Sequence, residues 1–264
     1  MKNLDGKVSV IIPAYNEGRV IFDSLNETIR TFNDFGCDYE IILIDDGSKD
    51  NTLAQALKAA KECPRIKVKR NLVNYGKGRA LKKAFRYTTG DYVVFLDADL
   101  DLHPAQAQTL FDILKLDSAD VVIGSKMHPN SQVEYPFSRK VISFIYYLII
   151  KILFGLPIHD TQTGLKLFKR EVLKDVLPRI VVKKFALDLE ILANIHRLGF
   201  KIAEAPIVLK QNRPFGRLGL KAMVQTGWDT LAIFYRMYIL RYYDKTTVES
   251  MDISHSKARS AEES

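Results

Sequence analysis

From its amino end the chain alternates short, continuous apolar runs with longer segments whose apolar positions recur every three or four residues. "VSVIIP" (8–13) is an apolar run closed by proline, and 19–35 follows with helical spacing. "YEIILIDDGS" (39–48) predicts a strand ending in Asp45, Asp46 and Gly47, and "NTLAQALKAAKE" (51–62) a helix capped by Asp50 or Asn51. The order then repeats: strand "RIKVKR" (65–70), helix "GRALKKAFRYTTG" (78–90), strand "DYVVFLDAD" (91–99), helix 104–114, strand "ADVVIGS" (119–125). Strands that are apolar throughout, separated by helices, predict an α/β fold: a mostly parallel sheet with helices on both faces. Ligands of such sheets bind beyond the carboxyl ends of the strands. The polar clusters 15–17, 45–46, 71–78 and 97–101 fall there.

Beyond Lys126 the pattern changes. An apolar run "VISFIYYLII" (141–150) leads into "HDTQTGLKLFKRE" (159–171), a helix over 185–198, a strand "KIAEAPIVL" (201–209) and a basic loop "KQNRPFGRLGLK" (210–221). A second apolar run, "LAIFYRMYIL" (231–240), is interrupted by Arg236. Both fall short of the roughly 20 apolar residues a membrane-spanning helix needs. Their tyrosines and flanking cations suit amphipathic helices that are buried or lie in a membrane interface. The polar composition of 244–264 predicts an unstructured tail, leaving one domain over 1–243 with halves 7–125 and 126–243.

Composition adds one constraint. A formal charge of +8 favours an anionic partner such as a nucleotide, a phosphate or an acidic lipid surface. Cys37 and Cys63 lack metal-type spacing and no signal peptide precedes them, so reduced thiols in the cytoplasm are expected.

Candidate chemistry centres on "FLDADLDLHP". In an extended chain Asp97, Asp99 and Asp101 share one side and can converge on a hard divalent cation, Mg²⁺ or Mn²⁺, which would offset their repulsion. An EF-hand loop would need Gly and Glu where Leu102 and Gln108 stand, so that reading fails. A haloacid-dehalogenase-type phosphatase, with the first aspartate as nucleophile, stays as an alternative, as does a solvated acidic turn. Gly76 and Gly78 mimic part of a dinucleotide fingerprint, but its third glycine would fall on Leu81 and the motif follows the third strand, which disfavours a dehydrogenase.

Taken in order, "VSVIIPAYNE", "EIILIDDGSKDNT", "NYGKGRALKKA" and "FLDADLDLHP" resemble the family 2 glycosyltransferases with the GT-A fold. "SRKVIS" (138–143) and "HDTQTGLKLFKRE" are similar to the polyprenyl-phosphate hexosyltransferases, the dolichyl-phosphate mannose and glucose synthases. "DTQTGLKLF" with "FALDLEIL" (185–192) leans toward the glucose branch.

The resemblance implies a single GT-A domain whose first half binds a nucleotide sugar and whose second half binds the acceptor. It implies an inverting transfer of glucose or mannose from UDP-glucose or GDP-mannose to a polyprenyl or dolichyl phosphate. Pro13, Tyr15, Glu17, Asp45, Asp46, Gly76, Lys77 and Arg213 would bind the donor, with Arg217 and Lys221 able to close over it. Asp97 and Asp99 would be catalytic through the cation, and Asp101 a third ligand. Lys126, Arg139 and Ser143 would grip the acceptor phosphate. Asp160 and Glu190 sit in family motifs without a firm role. Peripheral attachment to the cytoplasmic face of a membrane follows, through 141–154 and 231–243, with a membrane partner protein as a further expectation and no nucleic acid partner. The alternative within the family, transfer to a sugar hydroxyl, would need a carboxylate base. Its processive members carry Q-x-x-R-W, whereas "QNRPF" offers Gln211 without the tryptophan and the single Trp is Trp228.

Overall fold

The apolar runs become β1 (Val8–Ala14), β2 (Tyr39–Asp45), β3 (Ile66–Arg70), β4 (Tyr92–Phe95) and β5 (Val121–Ser125). The structure, a computed structural model, describes residues 4–133, 137–182, 186–209 and 220–244. Helices α1 (Ile21–Phe35), α2 (Thr52–Glu62), α3 (Lys77–Phe85) and α4 (Ala107–Leu116) connect these strands. The second half adds β6 (Gln132–Val133), α5 (Phe137–Phe154), β7 (Lys166–Lys169), α6 (Arg170–Val176), α7 (Leu187–Arg197), β8 (Ile202–Pro206), β9 (Val208–Leu209) and α8 (Leu220–Phe234). Seven strands form one sheet in the order β3-β2-β1-β4-β7-β5-β8, parallel except for β7, while β6 and β9 pair separately.

Alternation along the strands divides the core in two. Val8, Val10 and Ile12 of β1 pack with α1, α2 and α4 on one face, and Ile11 faces α3, α6 and α7 on the other. This is the two-sided cover that continuous apolar strands predict.

Several boundaries differ from the sequence expectation. Strand β7 was hidden inside "HDTQTGLKLFKRE", because two lysines break the apolar run. It inserts antiparallel between β4 and β5, with Phe95 opposite Lys166 and Ile123 opposite the same residue. The fourth strand stops at Phe95 and the chain turns at Ala98 and Asp99, so the three aspartates do not share one continuous extended strand. Helix α3 ends at Phe85, whose carbonyl accepts the Thr88 hydroxyl at 2.7 Å. The 104–114 helix opens as a 3-10 turn, Pro104–Gln106, before α4. The stretch 201–209 splits into β8 and β9 around Ile207, which is buried.

At the carboxyl side of the chain, α8 runs into a π turn, Tyr235–Ile239, and then folds back over α7. Glu190 explains the anchoring. Its carboxylate is fully buried and accepts the backbone N–H of Val181 and Val182 at 3.0 and 2.7 Å, together with the Tyr243 hydroxyl. Burial pushes the Glu190 carboxyl above its usual range. Glu190 therefore ties the 177–182 segment to the carboxyl-terminal turn.

Candidate active site

Three loops at the carboxyl rim of the sheet are laced together before any ligand is considered. The loop after β1 turns at Asn16, with φ of 57°, and its N–H donates to Ser48 Oγ at 2.9 Å while Asn16 Oδ1 accepts Lys49 N–H at 2.9 Å. Glu17 N–H donates to Thr52 Oγ1 at 2.8 Å, and Gly18 N–H to Asp50 Oδ2 at 3.0 Å. Asp50 also accepts the Thr52 N–H, so it supplies the cap that Asn51 does not. Gly47 stands at φ +74°, and a Cβ there would lie 2.4 Å from the Val73 carbonyl carbon, which is why the "DDGS" turn takes glycine.

Asp45 and Asp46 organise this rim from inside. Asp46 accepts the Asn71 amide at 2.7 Å, Tyr75 N–H at 3.2 Å and Gly76 N–H at 2.8 Å, shaping the "NYGKG" loop. Asp45 accepts Ser48 N–H at 3.0 Å, and its buried Oδ2 has Arg70 Nε at 3.3 Å but no hydrogen-bond partner among the described residues. Gly76 holds φ at +93° and opens α3, delivering Lys77 to the rim. Pro13 continues β1 opposite Ile44, and the Tyr15 ring is exposed.

Lys77 Nζ meets Asp97 Oδ1 at 2.8 Å. The Asp97 carboxylate is 43 % exposed although protein crowds around it. That enclosure raises its pKa, but the charges of Lys77, Lys166 and Lys126 outweigh it and hold the carboxyl below its usual range. Burial works to discharge Lys77, and Asp97, Asp188 and Asp99 together keep it protonated well above its ordinary value. Asp99 behaves oppositely. Burial, then the charges of Asp97, Asp101 and Glu17, push its carboxyl up. Its Oδ1 accepts the Asp101 N–H at 3.3 Å in a local turn, and Leu100 between them has φ of 54°. Among the described residues no three acidic, His or Cys side chains are grouped so as to hold a metal ion by themselves.

What the turn offers instead is a crowded carboxylate whose neighbours repel it. Hard oxygen donors of this kind suit a Mg²⁺ or Mn²⁺ ion that draws its remaining ligands from water and phosphate. Ser24 supports the turn from α1, its hydroxyl donating to the Ala98 carbonyl at 2.7 Å. Nothing in the spacing of α1 marks Ser24 for that task.

Beside Lys126, Asp160 acquires a structural task. Its Oδ2 accepts Lys126 N–H at 3.0 Å and lies 3.6 Å from Lys126 Nζ, while Oδ1 accepts Gln162 N–H at 2.9 Å. Glu204 accepts the N–H groups of His159 and Asp160 and pairs with the His159 ring at 2.7 Å. Tyr147 of α5 stacks on that ring at 5.0 Å, so the "HDTQTG" loop holds both Lys126 and α5. Ser143 is exposed on α5. The Arg139 and Lys221 side chains, and Arg213 and Arg217, lie outside the described residues. A pair missed by sequence reasoning lies beneath the rim: Lys166, 1 % exposed, donates to Asp188 Oδ1 at 2.7 Å and to the Thr163 carbonyl. Asp188 sits two residues before Glu190 in "FALDLEIL", and only the fold shows that it neutralises a buried lysine.

The sequence and the fold both have known counterparts. The chain is 32% identical over 250 residues to a dolichyl-phosphate beta-glucosyltransferase of Trichomonas vaginalis, covering 90% of this chain and 76% of that protein. A dolichyl-phosphate beta-glucosyltransferase of Dictyostelium discoideum is 32% identical over 213 residues, 76% of this chain and 65% of that protein. Among solved structures, glucosyl-3-phosphoglycerate synthase of Mycobacterium tuberculosis, in complex with Mn²⁺, UDP and glucosyl-3-phosphoglycerate, superposes with a TM-score of 0.66 at 21% identity, covering 87% of this chain and 78% of that one. That likeness establishes the GT-A type of fold. The sequence model described as glycosyl transferase family 2 matches residues 9–177, from β1 through α6, and the chain belongs to that family.

Proposed function

We propose that the protein transfers glucose from UDP-glucose to a dolichyl or other polyprenyl phosphate, with inversion. The observation that carries this reading is the acidic turn at 97–101, set beside Lys77 where a donor diphosphate would meet the sheet rim. Two relatives named for dolichyl-phosphate glucosylation support the acceptor, and the fold neighbour solved with UDP and Mn²⁺ supports the donor class. Membership of the family sets aside the phosphatase alternative.

In this mechanism Asp99 would hold a divalent cation, with Asp97 and Asp101 beside it, and the bound cation supplies Lewis-acid stabilisation of charge on the leaving diphosphate. Lys77 fixes the Asp97 carboxylate and adds positive charge at the rim. Lys126, held by Asp160, would meet the acceptor phosphate, the task that the family resemblance also gives to Arg139. A phosphate monoester has its second pKa near about 6, so the acceptor is largely dianionic at neutral pH and needs no general base. Its oxygen bonds to the anomeric carbon as the bond to the donor β-phosphate oxygen breaks. Labelled glucose supplied as UDP-glucose should appear on a short polyprenyl phosphate, disappear with EDTA and return with Mn²⁺. Transfer to a sugar hydroxyl and none to the lipid phosphate would refute the reading, and faster transfer from GDP-mannose would refute the donor.

The acceptor is a lipid, and the fold offers it a surface. No helix among the described residues is long and apolar enough to cross a membrane. Yet α5 exposes Val141, Phe144, Ile145, Leu148 and Ile149, and α8 with its π turn exposes Trp228, Leu231, Tyr235 and Ile239. Such faces fit the interface of a bilayer, on the cytoplasmic side, with the net positive charge adding attraction to anionic headgroups. Pelleting with anionic vesicles at low salt should weaken by about tenfold or more when Ile145→Asp and Ile149→Asp are combined, since each isoleucine loses roughly 2 kcal/mol of apolar burial. Undiminished pelleting would place the membrane contact elsewhere.

A further inference from the structure

We propose that Gly164 is a positioning residue of the donor site: its bare Cα forms the wall against which the Asp97 carboxylate is held. This deepens the reading of Asp97 as a donor-site residue and rests on it. The register of β4 against β7 pairs Tyr92 with Lys169 and Phe95 with Lys166. Continued past the last ladder pair, it sets Asp97 opposite Gly164. A Cβ built on Gly164 would lie 1.9 Å from Asp97 Oδ2, 2.4 Å from its Cγ and 3.2 Å from its Cβ. The backbone of Gly164 lies outside the left-handed region, so conformation does not demand glycine there; space does.

The wall is also rigid. Thr163 Oγ1 donates to the Gly124 carbonyl, and Gly124 N–H donates to the Leu165 carbonyl at 3.0 Å. Buried Lys166 donates to the Thr163 carbonyl and to Asp188. With the flanking residues fixed on both sides, a side chain at 164 can be relieved only by moving Asp97 out of its contact with Lys77 at 2.8 Å. The "DTQTG" segment thus controls the orientation of a carboxylate that lies 67 residues earlier in the chain.

Gly164→Ala, Asp97→Ala and the double variant form a cycle that tests this. Displacing a group that orients the donor by about 1 Å is expected to lower transfer by about 100-fold in Gly164→Ala. The overlap should lower its melting temperature by about 5 °C. In the double variant the carboxylate is gone, so the added methyl meets no obstacle. Its melting temperature and its affinity for UDP with Mn²⁺ should match Asp97→Ala alone, within about twofold for affinity. If Gly164→Ala does not fold, recovery of folding in the double variant still supports the proposal. Gly164→Ala with wild-type melting and activity, or a double variant that loses the sum of both melting shifts, would overturn it. The melting cycle uses neither donor nor acceptor, so it separates failure of this inference from failure of the proposed transfer reaction.

Discussion

Replacing Asp99 with alanine should cut sugar transfer by about a thousandfold or more, the order lost when a group that stabilises developing charge is removed from an enclosed site. Asp99 is chosen over Asp97 because of its electrostatic setting. Asp97 is satisfied by Lys77, whereas the charges of Asp97, Asp101 and Glu17 all oppose ionisation of Asp99. A cation would reverse that balance, and the repulsion among these residues is tolerable in the working site for the same reason. The variant should keep its fold, since removing a repelled carboxylate costs only the local bond that its Oδ1 accepts from Asp101 N–H. Steady-state transfer alongside thermal unfolding would check both statements, and activity within tenfold of the parent would exclude a central role for Asp99.

A second large effect is expected at the opposite end of the sheet. Glu40, 3 % exposed at the start of β2, accepts Ser9 Oγ at 2.7 Å, Lys67 Nζ at 2.7 Å and both the N–H and the hydroxyl of Thr89. It joins β1, β2 and β3 to the turn before β4. Burial alone would raise its pKa, but the bonds from Lys67, Ser9 and Thr89 outweigh that and bring it from 4.5 to about 2. Its folded value lies below its unfolded one, so the stabilisation is complete above about pH 4.5 and disappears as pH falls through about 2. The difference corresponds to about 3 kcal/mol. Glu40→Ala should therefore lose about 3 kcal/mol or more at neutral pH, and its stability should fall less steeply on acidification than that of the parent. Denaturant titrations at pH 7 and pH 3 would show it. Equal loss at both values would mean that packing, and not charge, is what Glu40 contributes.

The first half of the fold was legible because each element states itself locally: β1 and β2 are built around continuous apolar runs, and α1 and α2 carry helical spacing between them. The order of the motifs placed the polar clusters at the correct rim. What stayed hidden depends on contacts across the sheet. Strand β7 opens on the buried Lys166, which reads as surface until Asp188 is seen beside it. The aspartates of 97–101 read as an extended row, and only the end of β4 at Phe95 and the Asp99 turn correct that. Asp160 and Glu190 had no assignable task because their partners, Lys126 in one case and Tyr243 with Val181 and Val182 in the other, lie tens of residues away or in the segment before α7. Gly164 looks like an ordinary loop glycine until register brings Asp97 opposite it.

Diffraction from crystals grown with Mn²⁺ and UDP, recorded at the manganese absorption edge, addresses the cation directly. An anomalous peak within coordination distance of an Asp99 oxygen, bridged to the diphosphate, is the expected result. UDP bound at the rim of β1 and β2 with no such peak near residues 97–101 would contradict it.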